Sequence, residues 1–443
     1  MSSTLGLELQ PDLPVCQTDL PLDWYQPEFK PYAEEYLALP DRTPDSVFGY
    51  LDRYITPALD YFGDSLLLLA HYYMGGEIVK LVERYGGAVA DSYKLALVAR
   101  ERPEKKVIVE SAVHFMAESI ALLAHDDQSV WITNPKAGCT MELLAKDHMV
   151  QPVFDQLEDR FGEDLLVVAY MNTSGRIKSL AGRTGGAVCT SSNAHLVVDW
   201  ARQQNKKIVF VPDQHLGRNT AHKLGMDLDK VALLPDPQRG AIHLDKAQLD
   251  RYADAEMLLW ASSCGVHTIF SGDMVAWWQA RGWRVLVHPE SPLDAVLAAD
   301  GAGSTDYLWK AVLAAKPGDK LVIGTEGHFV RNARMLGEQN GVEIMHLADL
   351  PADATAPDGT PFATAGCGCA TMSRNDPPHL AGMLDLLRKG EAPDINRVLA
   401  GDSVDEITMR RDRLDATERD ELIVDARASM ERMIAIVDAA GGV

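Results

Sequence analysis

Residues 165–174 read LLVVAYMNTS, and the chain continues through GAVCTSSNAHLVV (186–198), KKIVFVPDQHLG (206–217) and AEMLLWASSCGVH (255–267). The apolar runs are short, end on polar residues, and are separated by stretches with helical spacing. Strands alternating with helices predict βα units and parallel sheets. In such sheets ligands bind beyond the carboxyl ends of the strands, so the polar tips Tyr170, Asn172 and the segment around Cys264 mark one functional edge.

The same succession recurs on either side. Before it come SLLLLAHYY (65–73), GAVADSYKLALVA (87–99), KKVIVESAVHFMAE (105–118) and SVWITNPKAGCTM (129–141). After it come WRVLVHPES (283–291), DGAGSTDYLWKAV (300–312), DKLVIGTEGHFV (319–330) and a less regular stretch, 342–372, that ends in TAGCGCATM. Each repeat thus has a polar-tipped strand, a hydroxyl-bearing turn entering a helix, a second polar-tipped strand and a cysteine. The expected fold is α/β, with three pseudo-threefold-related three-layer αβα domains whose parallel sheets surround a central active site. Expected boundaries are 46–150, 151–275 and 276–375, preceded by an irregular extension over 1–45 and followed by a helical segment over 376–443 that serves packing.

Composition narrows the function. With 443 residues, 47% of them hydrophobic, the chain is an ordinary globular protein of several domains. A formal charge of −22 disfavours nucleic acid and anionic membranes, which need clustered cations. No run approaches the ~18 apolar residues of a membrane span, and the N-terminus lacks the basic start and apolar centre of a signal peptide. Six cysteines in a chain of this length do not form a disulfide framework. The expected setting is the cytoplasm.

Cys139, Cys264 and Cys369 occupy equivalent places in the three repeats. A lone free cysteine is by default a core residue; the recurrence instead suggests one metal centre, with three thiolates leaving a coordination position for substrate. Strand tips add His71, Tyr72 and Tyr73, then Tyr170 and Asn172, then His288 and Glu290. Pro289 ends its strand, so His288 and Glu290 are expected at its mouth as an acid/base pair. Ser92, Ser191, Ser304 and Thr305 stand where helices begin; capping is their ordinary role, and such helix starts also present amides to carboxylates or phosphate.

Taken in order, LAHYY, ADSYKLA, HFMAE, GCTM, AYMNT, CTSSNA, PDQHLG, WASSCGVH, VHPES, GST, IGTE and CATM resemble the motif series of the quinolinate synthases, iron–sulfur enzymes of de novo NAD biosynthesis. The resemblance runs from about residue 65 to 375. It implies a [4Fe–4S] cluster held by Cys139, Cys264 and Cys369 with one open iron position, Cys189 being a non-ligand and Cys367 an extra thiol. It implies condensation of iminoaspartate, supplied by L-aspartate oxidase, with dihydroxyacetone phosphate. Tyr73 and His71 would serve isomerisation and proton transfer, Glu290 would be a base and His288 would steer substrate. Tyr170, Asn172, Ser92, Ser191, Ser304 and Thr305 would bind it, with His267 lining the cavity. Tyr72 departs from the family's usual Asn, and AGRTGGAVCT carries added glycines. Two other readings share the cysteines: a different [4Fe–4S]-dependent hydro-lyase acting on a hydroxy acid, and an iron–sulfur redox sensor or electron carrier. Electron carriers usually have a fully protein-ligated cluster, so a fourth cysteine ligand would favour the last.

Overall fold

The computed structural model describes residues 20–442 apart from 241, 363–368, 370, 406 and 407, and only the backbone of Pro44, Gly76, Glu77 and Ser373. Cys367 lies outside the described residues. The chain divides into two compact units. One comprises Met1–Gly138, Glu326–Val342 and Gly366–Asp412, and the other Cys139–Thr325, Glu343–Ala365 and Arg413–Val443.

The first unit contains β1 (Leu66–His71), β2 (Ala88–Ala90), β3 (Val107–Ser111) and β4 (Ser129–Ile132), parallel and in the order β2-β1-β3-β4. A two-residue strand, Arg397–Val398, adds antiparallel to β4. All six residues of β1 are buried, as expected of a central strand covered on both faces.

The extension is less irregular than its sequence suggests. Lys30–Leu37 is helical, with Pro31 in its first turn, and its Tyr32 donates a hydrogen bond to Asp385 Oδ2 at 2.7 Å on helix Pro377–Lys389. A Cβ added at Gly382 would lie 2.9 Å from Phe29, so glycine lets the extension approach. Eight residues make barely two turns, too few for a periodicity to register.

The second unit holds two parallel sheets. β5 (Leu165–Tyr170), β6 (Ala187–Cys189), β7 (Lys207–Val211), β8 (Val231–Leu233) and β9 (Met257–Leu259) lie in the order β6-β5-β7-β9-β8. β10 (Arg284–Val287), β11 (Gly301–Ala302), β12 (Lys320–Gly324) and β13 (Glu343–His346) lie in the order β11-β10-β12-β13. The repeat inferred from sequence is therefore a repeat of topology: in each of these three sheets the second strand is outermost, followed by the first, the third and the last. Within the repeats β8 was not anticipated; it is a three-residue edge strand, and the short strands Arg397–Val398, Ser403–Val404 and Arg411–Asp412 fall in the segment expected to be helical.

The GGAV that precedes β2 and β6 also has a shared cause. A Cβ on Gly186 would stand 1.8 Å from the Val167 carbonyl oxygen, and one on Gly87 2.8 Å from that of Leu68. Helix Ala416–Ala439 packs on helix Gly175–Arg183, where Ser429 Oγ donates to the Lys178 carbonyl at 2.9 Å. The last sheet packs Val285, Val287 and Val322 against Phe270, Met274 and Trp278. Among the described residues no helix is long and apolar enough to cross a membrane.

Candidate active site and metal-binding cysteines

In the second unit the mouths of β5 and β10 build a buried polar cluster. β5 ends at Tyr170, whose hydroxyl donates to Glu290 Oε1 at 2.5 Å. The other Glu290 oxygen lies 2.8 Å from His267 Nδ1 and 3.9 Å from His288 Nδ1. The two imidazoles stack with centroids 4.5 Å apart, and His267 Nε2 meets Thr325 Oγ1 at 3.0 Å. β10 stops at Val287, so Pro289 ends the strand as its chemistry requires, and Asn219 Nδ2 clamps the turn by donating to the carbonyls of Pro289 and Ser291.

Tyr170, His267, His288 and Glu290 are each at most 5% exposed, so the Glu290 charge acts on its neighbours with little screening. Burial alone would raise the Glu290 carboxyl. The imidazoles of His288 and His267 and the Tyr170 hydroxyl outweigh it and bring the pKa to about 2. Glu290 is thus an ionised carboxylate that orients two histidines. Burial and the Glu290 charge push the neighbouring Asp213 carboxyl well up, while the amides of Leu216 and Cys264 pull it back.

In the first unit, β1 ends at His71, whose Nδ1 accepts from the Tyr73 amide at 3.1 Å, and the two rings meet edge-on at 4.8 Å. Burial lowers His71 to about pKa 4 despite the Glu326 charge, so the imidazole is neutral at physiological pH. Tyr73 is half-buried, whereas Tyr72 is buried. Glu326 Oε1 lies 2.8 Å from His328 Nδ1 and accepts from the Cys369 amide at 2.8 Å, and Oε2 accepts from Phe329 N at 3.0 Å. Burial raises this carboxyl, but His328 and the two amides hold it below the ordinary glutamate range.

Of the four hydroxyl positions, only Ser304 caps its helix, accepting from Tyr307 N at 3.3 Å. Thr305, the first residue of that helix, is buried beside it. Asp91 is the cap in front of Ser92, and Asn193 is the cap position two residues beyond Ser191. Ser92 and Ser191 are half-buried and do not cap, and Asn172 is half-buried just past the end of β5.

Cys139, Cys264 and Cys369 are partly exposed, while Cys189 is buried. Burial pushes the Cys189 thiol far up, so it behaves as a core residue in the way its place within β6 suggests. Cys264, His267 and Glu290 each offer a ligand atom, all within 4.8 Å of one another. A mixed sulfur, nitrogen and oxygen set of this kind suits a transition metal; of its members only Cys264 is of the thiolate type that holds an iron–sulfur cluster, the donor type that Cys139 and Cys369 share.

The profile of the family described as quinolinate synthetase A protein matches residues 60–407. The chain belongs to that family. It is 34% identical to the quinolinate synthase of Corynebacterium glutamicum, over 92% of this chain and 93% of the relative. It is 38% identical to that of Streptomyces coelicolor, over 87% and 93%. For Bacillus velezensis the figures are 33% identity, 81% and 91%. These curated quinolinate synthases are enzymes, and the α/β fold with repeated parallel sheets is the one the motif series implied.

Two residues stand out in the structure that sequence reading passed over. Asp213 and Glu326 lie inside quoted motifs, PDQHLG and IGTE, without an assigned role. The signal was available: both are acids two residues past the third strand of a repeat, directly before a helix.

Proposed function

We propose that this chain condenses iminoaspartate with dihydroxyacetone phosphate to form quinolinate, releasing phosphate and water, in the cytoplasmic de novo route to NAD. The reading is carried by the buried Tyr170–Glu290–His267–His288 cluster, with Cys264 beside it, in a member of this family. Cys139, Cys264 and Cys369 would hold a [4Fe–4S] cluster whose one iron without a cysteine ligand supplies, when bound, a Lewis acid that polarises a substrate oxygen so that water can leave.

The chain's own groups do the rest. Ionised Glu290 is a weak base while paired with its histidines; an anionic substrate placed beside it raises its pKa and makes it a better proton acceptor. His288 steers that substrate and His267 lines the cavity. Tyr170 and Asn172 hydrogen-bond carbonyl or carboxylate oxygens. Ser92, Ser191, Ser304 and Thr305 bind carboxylates and phosphate, which suits a negatively charged protein that must hold anions with neutral donors. Neutral His71 and the Tyr73 phenol exchange protons during triose isomerisation. L-aspartate oxidase, which supplies the unstable imine, is the functional partner.

The test is direct. Anaerobically reconstituted protein given both substrates should yield a pyridine dicarboxylate detectable by mass; an intact cluster with no such product overturns the reading.

A further inference from the structure

Asp213 and Glu326 each divide their two oxygens between two tasks. In the second unit, Asp213 is the N-cap of helix Gln214–Lys223: Oδ1 accepts from Leu216 N at 2.7 Å, while Oδ2 accepts from the Cys264 amide at 3.0 Å. In the first unit, Glu326 is the N-cap of helix Gly327–Asn340: Oε2 accepts from Phe329 N at 3.0 Å, while Oε1 accepts from the Cys369 amide at 2.8 Å. Both carboxylates are buried, at 0% and 1% exposure. Capping accounts for one oxygen in each case. The other accepts from the backbone of a cysteine far away in sequence, and on Glu326 that oxygen also faces His328 Nδ1 at 2.8 Å.

The remaining repeat has the same tie without the acid. Its corresponding helix, His114–Leu123, has Val113 as N-cap with no side-chain cap bond, and the first helical amide, His114 N, donates to the Ala137 carbonyl at 3.0 Å, two residues before Cys139. The Asp213 strap is further reinforced. Ser262 Oγ donates to the Pro212 carbonyl at 2.7 Å and Gln214 N donates to the Ser262 carbonyl at 2.9 Å.

We propose that Asp213 and Glu326 are positioning residues for two of the cysteine ligands, fixing the backbone at Cys264 and Cys369 and keeping each cysteine's amide from donating to cluster sulfur. This rests on the cluster assignment made above. Hydrogen bonds from amides to thiolate or sulfide stabilise the reduced, more negative cluster and raise its potential. An amide already committed to a buried carboxylate oxygen cannot do so. The pair therefore keeps the cluster hard to reduce, holding it in the oxidised state that acts as a Lewis acid rather than an electron store.

Serine at either position separates the two tasks: its single hydroxyl still caps the helix, but no second oxygen remains for the cysteine amide. Full-length Asp213→Ser and Glu326→Ser proteins, reconstituted anaerobically beside wild type, are compared by iron content, thermal melting and potentiometric titration of the cluster. The expected result is full iron content and an upward shift in potential in both variants, with a near-unchanged melting temperature in Asp213→Ser and a lowered one in Glu326→Ser, which also removes the carboxylate facing buried His328. Glu326→Gln, which keeps a carbonyl oxygen for the Cys369 amide, should return the potential toward wild type. In the metal-free proteins, hydrogen exchange at the peptides carrying Cys264 and Cys369 should quicken about tenfold in the serine variants, the protection expected of one hydrogen bond. Unshifted potentials in cluster-loaded serine variants overturn the proposal, and should one variant fail to fold the other decides alone. Failure of wild type itself to take up a cluster overturns the underlying cluster assignment instead, and is told apart by that.

Discussion

Tyr73 is half-buried two residues beyond His71, its backbone amide fixes that neutral imidazole, and its ring packs edge-on against His71 and Phe329. Tyr73→Phe should keep iron content and cluster absorbance yet lose about a hundredfold or more in kcat, the usual worth of a positioned acid–base group. Wild-type turnover would remove Tyr73 from the chemistry. Replacing Cys139, Cys264 or Cys369 by Ala should abolish cluster absorbance and activity together, whereas Cys189→Ala should leave absorbance intact; the reverse pattern would show that the ligands are misassigned. Glu110 is a different case: it is fully buried on β3, neither carboxyl oxygen has a hydrogen-bond partner, and burial raises its pKa to about 8. A carboxyl whose folded pKa exceeds its unfolded one contributes stability that is complete below the unfolded value of 4.5 and lost as pH climbs through about 8. Glu110→Leu should therefore gain about 3 kcal/mol over wild type near pH 7, with the gain shrinking toward pH 5. Equal melting shifts at both pH values would count against this account. At this scale the places of His71 and Tyr170 at strand ends were legible because the polar-tipped run repeats in sequence. Which cysteine amides Asp213 and Glu326 hold was not, because those partners lie 51 and 43 residues away and only the fold brings them into reach.

Among elements, the strands were legible nearly throughout, since apolar runs of four to six residues punctuated by polar tips have few other readings. Their caps were not. Serine ahead of a helix is the ordinary cap, yet Asp91 holds that role beside Ser92, and Asn193 stands in the cap position near Ser191, which leaves two hydroxyls for other duties. The packing of helix Ala416–Ala439 on Gly175–Arg183 was likewise hidden, because it depends on a missing side chain. A Cβ at Gly182 would lie 2.0 Å from the Asp425 carbonyl oxygen. Gly182→Ala must separate the two helices and should cost about 2 kcal/mol or more in thermal unfolding, in the range of an overpacked contact. Ser429→Ala, which loses the 2.9 Å bond to the Lys178 carbonyl without crowding, should cost about 1 kcal/mol.

For the whole molecule, the charge of −22 sets the field through which substrate must travel. If both substrates are anions, kcat/KM should rise about two- to fivefold as ionic strength is raised from low to physiological, because salt screens a repulsive field. A fall would mean that local cations outweigh the net charge at the site mouth. The threefold recurrence was readable from the start, but the Tyr170–Glu290 bond, across 120 residues, was not, since nothing local in either segment names the other. The first unit is assembled from three separated stretches of chain. Its N-terminal end is fastened by the Tyr25 hydroxyl donating to Asp376, 351 residues later, and by Lys136 Nζ donating to the Trp24 carbonyl at 2.8 Å. On the ribosome, Tyr25 emerges early and waits without its partner until residue 376 is made. By then all three cysteine loops have been translated. The fastening can therefore close only after most of the chain has been made, so the N-terminal end of the first unit is among the last parts of that unit to be fixed.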